Sequence, residues 1–587
     1  MRSLSRSTVI WLALLAALLV LAVAAPLAAA AGPELRAAPF SAEFLRYQAD
    51  FRLRHTLGLD RVPGFRPGLV PTPMDPSAFG GARLAAARAS DASDASSYDL
   101  RTYNKVSPVK DQDPYGTCWT FATFGSLESC LLPGELRDFS EDNIALNAGF
   151  DNGGDPYEHG GNYYMSAAYL IRWSGPVDES EDVYGDSSTP PGLTAKKHVQ
   201  EVLYIPGGTS PTDTANIKYA LTTYGAVATS ICWDDAYYAA ATASFNYSGG
   251  SSTNHAVTII GWDDDFSASN FTSTPSGPGA WLVRNSWGAE WGQGGYFWVS
   301  YYDRYCGTTD VFNAVFKGVE PTSNYSGIYS YDPLGQTDTV GYGTTTGWGA
   351  NVFTAKRSES IAAVGFFTHV PNTTYTVYAG ASLQSLQAKG SGSISTPGFH
   401  TVKLSSLLAV TSGRNFVVAM RLTAPGDNYP LAVEYAVADY SSAATASPGQ
   451  SFISSSGSSW SDLTTTWDST ANVCLKAYSV TSPPSADTVG PRCAAKNVIV
   501  TRGRICKLYL RVHDARSAQV TKHLVIKTRS GAVKKRWSTG YAENYDGWWF
   551  VKYRCRLAKG IYRIVVSGKD LAGNKASVVG RATLRVK

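Results

Sequence analysis

The chain reads Val109-Lys-Asp-Gln112-Asp-Pro-Tyr-Gly116-Thr-Cys118-Trp-Thr-Phe-Ala122 where its first strongly patterned region begins. Behind the cysteine, apolar residues recur at helical spacing, at Phe121, Phe124, Leu127 and Leu131. This period predicts a packed helix with Cys118 at its N-terminus. A helix N-terminus carries partial positive charge, which favours the thiolate that a cysteine nucleophile needs. Cys118 is therefore a candidate nucleophile, and the Gln112 side-chain amide is a candidate oxyanion donor.

The region around this helix has the pattern of an α+β domain. Helical periods are also present at 41–57, 163–173 and 214–224. Short apolar runs bounded by Gly, Asp and Asn then predict strands at 226–233, 255–262, 280–285 and 296–301. Helices first and antiparallel strands later indicate one α+β domain over residues 94–320.

The rest of the chain predicts two all-β sandwich domains. The 587 residues are too many for one hydrophobic core, so a multidomain protein is expected. Residues 321–482 contain alternating stretches such as 375–379 and 416–420, which are typical of a β-sandwich. Residues 483–587 start with a Pro-containing linker and continue as a second, smaller sandwich.

The N-terminus has the features of an export signal. Arg2 and Arg6 precede an apolar run at 9–25, and small residues at 28–31 offer cleavage sites. We therefore predict a signal peptide at 1–31, a leader or propeptide at 32–93, and no transmembrane segment after signal cleavage. The mature protein is expected to be secreted or extracellular, either free or associated with the cell surface.

The charge is distributed unevenly along the chain. Residues 490–587 contain 23 Lys or Arg against 4 Asp or Glu, a balance of +19, although the whole chain carries only +4. Such a basic module on an acidic body predicts an anionic partner, and an anionic polymer of the cell envelope fits an exported protein. Nucleic acid is the rival partner, because aromatic residues interleave with the charge.

The motifs together resemble the papain-like cysteine proteases. The first is the segment around Gln112 and Gly116-Thr-Cys118-Trp119. His255 follows 137 residues after Cys118, and Asn285 begins an Asn-Ser-Trp-Gly block. Three segments in this order and spacing are far more specific than any one of them.

The resemblance implies a role for each matched residue. Cys118 would be the nucleophile, His255 the general base, Asn285 the residue that orients the histidine, and Gln112 an oxyanion donor. The remaining matched positions would line the substrate cleft or shield the histidine–asparagine hydrogen bond: Gly116, Gly160, Gly161 and Trp287. The expected substrate is a polypeptide.

The sequence departs from the papain pattern near the nucleophile. The family's first cysteine is replaced by Tyr115, and its usual partner is replaced by Glu158 or Asp151, so one family disulfide is absent. Asn254, directly before the histidine, supplies no carboxylate. Neither departure removes a reacting group.

The two β-sandwich regions have weaker resemblances. Residues 321–482, with the stretch 328–335, resemble the lectin-like sandwich appended to prokaryotic papain-like proteases, which implies a carbohydrate partner or a spacer. Residues 483–587 resemble immunoglobulin-like modules of bacterial surface proteins. Within this last module, Cys506 and Cys555 are predicted to form a disulfide, which an exported protein permits.

No metal or cofactor is expected. The run Asp263-Asp264-Asp265 lacks the full loop of ligands that calcium needs. His159 and His198 have no Cys or His partners at zinc-ligand spacing.

Three functions are compatible with these patterns. The first is a cysteine endopeptidase that passes through a thioester acyl-enzyme. The second is a transpeptidase, in which an amine instead of water resolves the same acyl-enzyme. The third is a surface adhesin with a non-catalytic protease-like domain, against which the complete set of candidate catalytic residues argues.

Overall fold

The computed structural model describes residues 34–57, 68–79, 84, 95–151, 157, 160–481, 489–515, 517, 519–544 and 546–587. The predicted signal peptide, Glu158, His159 and residues 482–488 of the linker lie outside these residues. The chain divides into two compact units, Met1–Thr481 and Ser482–Lys587. Among the described residues, no helix combines the length and apolar character needed to cross a bilayer.

The helices of the first unit lie where the apolar period predicted them, except for two short ones, the third and the sixth along the chain, which were not predicted. In chain order they are α1 (Ala42–Leu57), α2 (Cys118–Leu131), α3 (Glu141–Asn147), α4 (Tyr163–Ile171), α5 (Ala215–Thr223) and α6 (Leu463–Thr466). Helix α3 was not predicted, because its seven residues are too few for a clear period. Ser140 caps it by accepting a hydrogen bond from the Asn143 N–H.

The α+β domain packs α2 against an antiparallel sheet. The first strand of the chain, in the leader, is β1 (Arg36–Ala37). The strands of this domain are β2 (Ser97–Asp99), β3 (Lys197–Ile205), β4 (Val227–Ile231), β5 (Tyr238–Ala239), β6 (Ser244–Phe245), β7 (His255–Asp263), β8 (Ala280–Arg284), β9 (Tyr296–Ser300) and β10 (Asn313–Pro321). Strands β4, β7, β8 and β9 are successive antiparallel neighbours, so the start of β7 meets the end of β8.

The second region of the first unit is built from strands, as predicted. They are β11 (Gly327–Tyr329), β12 (Asp338–Gly341), β13 (Thr346–Thr354), β14 (Glu359–Thr368), β15 (Thr373–Gly380), β16 (Gln387–Ile394), β17 (Gly398–Val410), β18 (Asn415–Thr423), β19 (Leu431–Glu434), β20 (Ser451–Ser454), β21 (Ser461–Asp462), β22 (Asn472–Val473) and β23 (Leu475–Val480). Strand β17 pairs with β3, which joins this region and the α+β domain in one sheet. The fold is therefore an α+β domain continued by a β-rich region.

The second unit is a small β-sandwich. Its strands are β24 (Arg492–Ala495), β25 (Val498–Val500), β26 (Ile505–His513), β27 (Gln519–Lys527), β28 (Val533–Glu543), β29 (Trp549–Arg554), β30 (Gly560–Ser567) and β31 (Gly580–Val586). They form a three-stranded sheet, β24-β26-β29, and a five-stranded sheet, β25-β31-β30-β27-β28. Alternate residues such as Leu508, Leu524 and Ile564 are buried between the sheets.

The predicted disulfide between Cys506 and Cys555 is not formed, and both residues are free thiols. Cys506 lies opposite Tyr553 in the β26–β29 ladder, so Cys555 is its diagonal neighbour two residues further on. Diagonal neighbours are about 7–8 Å apart, whereas a disulfide needs Cβ atoms at about 4 Å. The Cys506 thiol instead donates to the Tyr553 carbonyl at 3.5 Å.

The described part of the leader is well packed against the rest of the first unit. Phe44 on α1 is fully buried, and its ring contacts the ring of Tyr440 at 5.1 Å. Gln48 donates to the Ala438 carbonyl at 2.8 Å, and strand β1 pairs with β12. The leader therefore gains its core from the rest of the first unit, which composition alone cannot indicate.

Candidate active site

The candidate nucleophile is the first residue of helix α2, as predicted. Cys118 is fully buried, and the Ala256 N–H donates to its Sγ at 3.3 Å. Thr117 occupies the N-cap position without a side-chain cap, so the first N–H groups of α2 remain directed toward the thiol. These donors favour the thiolate over the neutral thiol.

His255 and Asn285 meet where β7 begins and β8 ends. His255 Nε2 and Asn285 Oδ1 are 2.8 Å apart, and the Ser286 N–H donates to the same Oδ1 at 2.9 Å. Since Oδ1 accepts from Ser286, it serves as an acceptor for His255 as well, which places the ring proton on Nε2. The Trp287 ring stacks on the imidazole at 4.7 Å between centroids and covers this hydrogen bond. Nδ1 is then the nitrogen available to act as base.

Gln112 is fixed by the segment that follows Asn285. Its backbone N–H donates to the Ser286 carbonyl at 2.8 Å, and the Ser286 hydroxyl donates to Gln112 Oε1 at 2.6 Å. Gln112 Nε2 donates one proton to the Tyr115 carbonyl at 2.8 Å. An amide nitrogen carries two protons, so one N–H remains for an oxyanion. Ser286 is a functional residue that the sequence interpretation assigned no role, although it adjoins Asn285.

A second unpredicted residue, Tyr184, joins the oxyanion loop to the start of α2. Its hydroxyl donates to the Gln112 backbone carbonyl at 2.9 Å and lies 2.5 Å from the Thr117 hydroxyl. No sequence motif marks Tyr184, because it lies 66 residues beyond Cys118 in a loop. One hydroxyl group thus connects the residue that supplies the amide donor with the residue that precedes the nucleophile.

We expect Tyr184→Phe to lower kcat about fivefold and leave KM nearly unchanged, because an oxyanion donor acts in the transition state and not on bound substrate. Steady-state kinetics with a fluorogenic peptide measures this. Tyr115→Phe is the matched control, since Tyr115 lies in the same ring cluster and its hydroxyl makes only a 3.4 Å bond to Gly185. An equal fall in kcat for both variants, or a change confined to KM, would contradict the role.

The position of the missing family disulfide is occupied by aromatic rings. Tyr115 contacts the ring of Tyr157 at 4.5 Å and that of Tyr184 at 6.1 Å. The Gly116 N–H donates to the Tyr157 carbonyl at 2.8 Å. Ring packing and this backbone bond thereby hold together the two segments that a disulfide would join. Cys130, Cys232 and Cys306 are free thiols.

The paired glycines lie beside the nucleophile for steric reasons. A Cβ on Gly161 would lie 2.4 Å from the Trp119 indole, directly after Cys118. Gly160 has a φ of 75°, which is unfavourable for residues with a side chain. Gly116, Gly160 and Gly161 thus bring bare backbone to the same groove, as expected for a cleft that binds extended peptide.

The leader occupies this groove. Gly161 donates to the Gly68 carbonyl at 2.9 Å, and Val70 donates to the Gly161 carbonyl at 2.8 Å. Leu69 pairs with Gly161 in parallel and donates to the Asn254 carbonyl at 3.2 Å. A Cβ on Gly68 would lie 1.6 Å from the Gly116 carbonyl oxygen, so only glycine fits there.

Burial changes the protonation of both candidate catalytic groups. Burial raises the pKa of the Cys118 thiol to about 11, although backbone N–H groups of Ala256, Gly68 and Trp119 partly offset this. Burial also lowers the pKa of His255 to about 4, with the Asn285 hydrogen bond opposing the shift. Burial disfavours the charged form of each group, so at neutral pH the thiol and the imidazole are both uncharged.

The structure brings together all eight residues that the motifs singled out, in two groups. Cys118, His255, Asn285 and Gln112 are linked through Ala256 and Ser286. Gly116, Gly160 and Gly161 lie beside the start of α2, and Trp287 stacks on the imidazole of His255. Within the described residues, no group of three or more His, Cys, Asp or Glu side chains is arranged to hold a metal ion.

Two family models match the chain. Residues 95–316 match the papain family cysteine protease, and residues 328–479 match the lectin-like domain. Similar proteins include mouse cathepsin K, which is 31% identical over 217 residues, covering 34% of this chain and 58% of that protein. Fruit bromelain of Ananas comosus is 29% identical over 214 residues, covering 34% of this chain and 53% of that protein. The chain thus spans little more than half the length of these relatives.

A solved structure is similar over both regions. It contains the cysteine protease and lectin-like domains of Cwp84, a surface layer associated protein of Clostridium difficile. The TM-score is 0.64 at 24% identity, with 76% of this chain and 98% of that chain covered. At this identity the likeness concerns the fold.

Proposed function

We propose that this chain, which carries a papain-family cysteine peptidase domain followed by a lectin-like domain, hydrolyses peptide bonds with Cys118 as its nucleophile. The observation that carries the proposal is the placement of three groups at the start of one helix. They are the Cys118 thiol, which accepts from the N–H of the residue after His255, the hydrogen-bonded His255–Asn285 pair, and the Gln112 amide, which Ser286 holds. The expected substrate is an extended polypeptide lying along Gly160 and Gly161.

The reaction needs only groups of this chain and water. His255 Nδ1 takes the thiol proton as Cys118 Sγ bonds to the carbonyl carbon of the substrate. The Cys118 N–H and the remaining Gln112 N–H would donate to the resulting oxyanion. The C–N bond then breaks, the imidazolium gives its proton to the leaving amine, and a thioester remains.

Water completes the cycle. His255 takes a proton from the water as its oxygen attacks the thioester carbon. The C–S bond breaks, the carboxylic acid leaves and the thiol is restored. Asn285 takes no proton, because its part is to hold the imidazole in one orientation.

We propose that residues 32–93 keep the enzyme latent. Two features support this: the leader fills the cleft through Gly68–Val70, and burial leaves the thiol and imidazole uncharged. Removing the leader exposes both groups to water, which lowers the cost of the thiolate–imidazolium pair.

The test is labelling by an epoxide thiol trap at pH 7. Protein beginning near Ser93 should be labelled at Cys118 and should hydrolyse peptide, whereas protein beginning at Ala31 should react at least about tenfold more slowly. The substitution Gly68→Ala in the longer protein should restore labelling, since a Cβ there overlaps the Gly116 carbonyl. Label mapped to any other cysteine would exclude Cys118 as the reactive thiol.

Equal rates for both lengths of protein, each shown to be folded, would remove the latency proposal and leave the peptidase proposal intact. The transpeptidase alternative is separated by mass spectrometry of products made with an added amine. Aminolysis products that exceed hydrolysis products would favour it.

We further propose that the protein acts outside the cytoplasm, attached to an anionic polymer of the cell envelope through residues 490–587. Its support is the +19 charge balance of this segment. Attachment by charge weakens as salt is added, because each pairing releases counterions.

A carbohydrate partner for residues 321–482 stays a prediction from the lectin-like resemblance. One cavity is the candidate site for a sugar. It has a volume of about 370 Å³, and its polar lining includes Arg172, Ser330, Tyr331, Thr445 and Gln450.

A further inference from the structure

One outer face of the second unit combines cations with aromatic rings. It belongs to the sheet β24-β26-β29, in which alternate residues point away from the buried core. We call it the lysine–aromatic face, and its members are Arg492, Lys496, Lys507, Tyr509, Arg511, Trp548, Phe550, Lys552 and Arg554. A row of rings, in which Tyr509 pairs with Phe550, lies beside a row of cations, in which Lys507 pairs with Lys552.

The row of opposed lysines reduces the stability of the folded sheet. Lys507 and Lys552 are directly opposite each other on neighbouring strands. Like charges in this position destabilise a sheet. Asp546 pairs with Arg511 at the far end of the face. A polyanion laid across the strands would relieve this repulsion.

The rings hold lysine side chains in place. Lys496 Nζ lies 4.5 Å from the Trp548 ring centre and 5.4 Å from that of Tyr509. Lys507 Nζ lies 4.2 Å from the Phe550 ring centre. Cation–π contacts of this kind restrain the ammonium groups and reduce the entropy lost when an anion binds.

The same contacts distinguish among polyanions. Stacking of nucleobases needs an open aromatic face. On this sheet the ammonium groups of Lys496 and Lys507 lie over the rings of Trp548 and Phe550. A ligand therefore meets positive charge and not an open aromatic face. Carboxylates on a sugar chain suit such a surface, because they need cations and no base stacking.

The opposite sheet supplies a comparison within the same unit. The outer face of β25-β31-β30-β27-β28 also carries cations, including Arg563, Arg581 and Arg585. There Val565 pairs with Arg581 and Ile561 pairs with Arg585, so these two cations lie opposite aliphatic side chains and not rings. Charge is therefore present on both faces, and lysines held over rings characterise one of them.

We propose that the lysine–aromatic face is the attachment site and that its ligand is an acidic polysaccharide bearing carboxylates. This rests on the proposed attachment of residues 490–587 to an anionic polymer, and it assigns that attachment to one sheet and one chemical class. The carboxylates would lie over the row formed by Lys507 and Lys552, with Lys496 and Arg554 to either side.

The test uses full-length Cys118→Ala protein, so that self-cleavage cannot interfere. Binding to polygalacturonate, to neutral dextran and to a thymidine oligonucleotide is measured across a salt series. The test variant changes Lys496, Lys507 and Lys552 to Gln. The control variant changes Arg563, Arg581 and Arg585 to Gln, which removes the same charge from the other sheet.

We expect the lysine variant to bind polygalacturonate at least about tenfold more weakly, with a smaller salt dependence, and the arginine variant to lose less than about threefold. Equal losses would overturn the assignment to this face and leave diffuse charge attachment standing. Tighter binding of the oligonucleotide than of polygalacturonate by the parent would overturn the ligand class. If the parent binds neither polyanion at low salt, the proposed attachment itself fails.

Discussion

Cys118→Ala and His255→Ala are each expected to reduce peptide hydrolysis by at least about 10⁴-fold in protein from which the leader has been removed. The first removes the atom that bonds to the substrate carbonyl. The second removes the base that takes the thiol proton and later protonates the leaving amine. Because these two residues act as a unit, the double variant should be no worse than either single variant.

Asn285→Ala is the graded control for this pair. It removes the acceptor that holds His255 Nε2 at 2.8 Å but leaves the nitrogen that moves the proton, so measurable activity should remain. Thermal unfolding of all variants should stay close to that of the parent, which separates chemistry from folding. Full activity in folded Cys118→Ala protein would end the assignment of the site.

Gln112→Ala should lower kcat about a hundredfold, which corresponds to about 3 kcal/mol of transition-state stabilisation by one oxyanion donor. The iodoacetamide labelling rate of Cys118 should change little, because displacement of iodide by the thiolate develops no oxyanion. A fall in kcat with unchanged labelling therefore separates the loss of a donor from the loss of thiol activation.

The matched control for Gln112→Ala is Gln293→Ala, the same change at an exposed amide that bonds to the Thr242 carbonyl at 3.3 Å. It should leave kcat within about twofold of the parent. If Gln112→Ala lowers kcat and the labelling rate together, the side chain mainly supports the loop that it shares with Ser286, and the oxyanion role is wrong.

Most of the fold of the first unit follows from local patterns. The helical period behind Cys118 predicted α2, and β7 begins at His255 as the apolar run indicated. These predictions succeed because amphipathic period and turn residues act over a few residues of chain. Helix α3 and strand β3 were missed, since the first is short and the second is buried almost throughout.

The sequence by itself determined which side chains are the candidates for the chemistry. Cys118, His255, Asn285 and Gln112 were identified from motif order and spacing, and their residue types limit the reaction to thiol attack on a carbonyl. What the tertiary structure decided is how these groups are held and covered. Ser286, Tyr184 and the leader glycine Gly68 depend on contacts with residues many positions away.

The cysteines of the second unit show the same division. Composition and strand pattern suggested a bridge between Cys506 and Cys555, but the β26–β29 register makes them diagonal neighbours, and both stay free thiols. Register is set by the packing of whole strands on a shared core, and one residue's type does not reveal it. Local sequence thus determined most of the elements around the candidate site and the candidate reacting groups, whereas the enclosure of Cys118 by the leader and the pairing of β3 with β17 depended on non-local contacts.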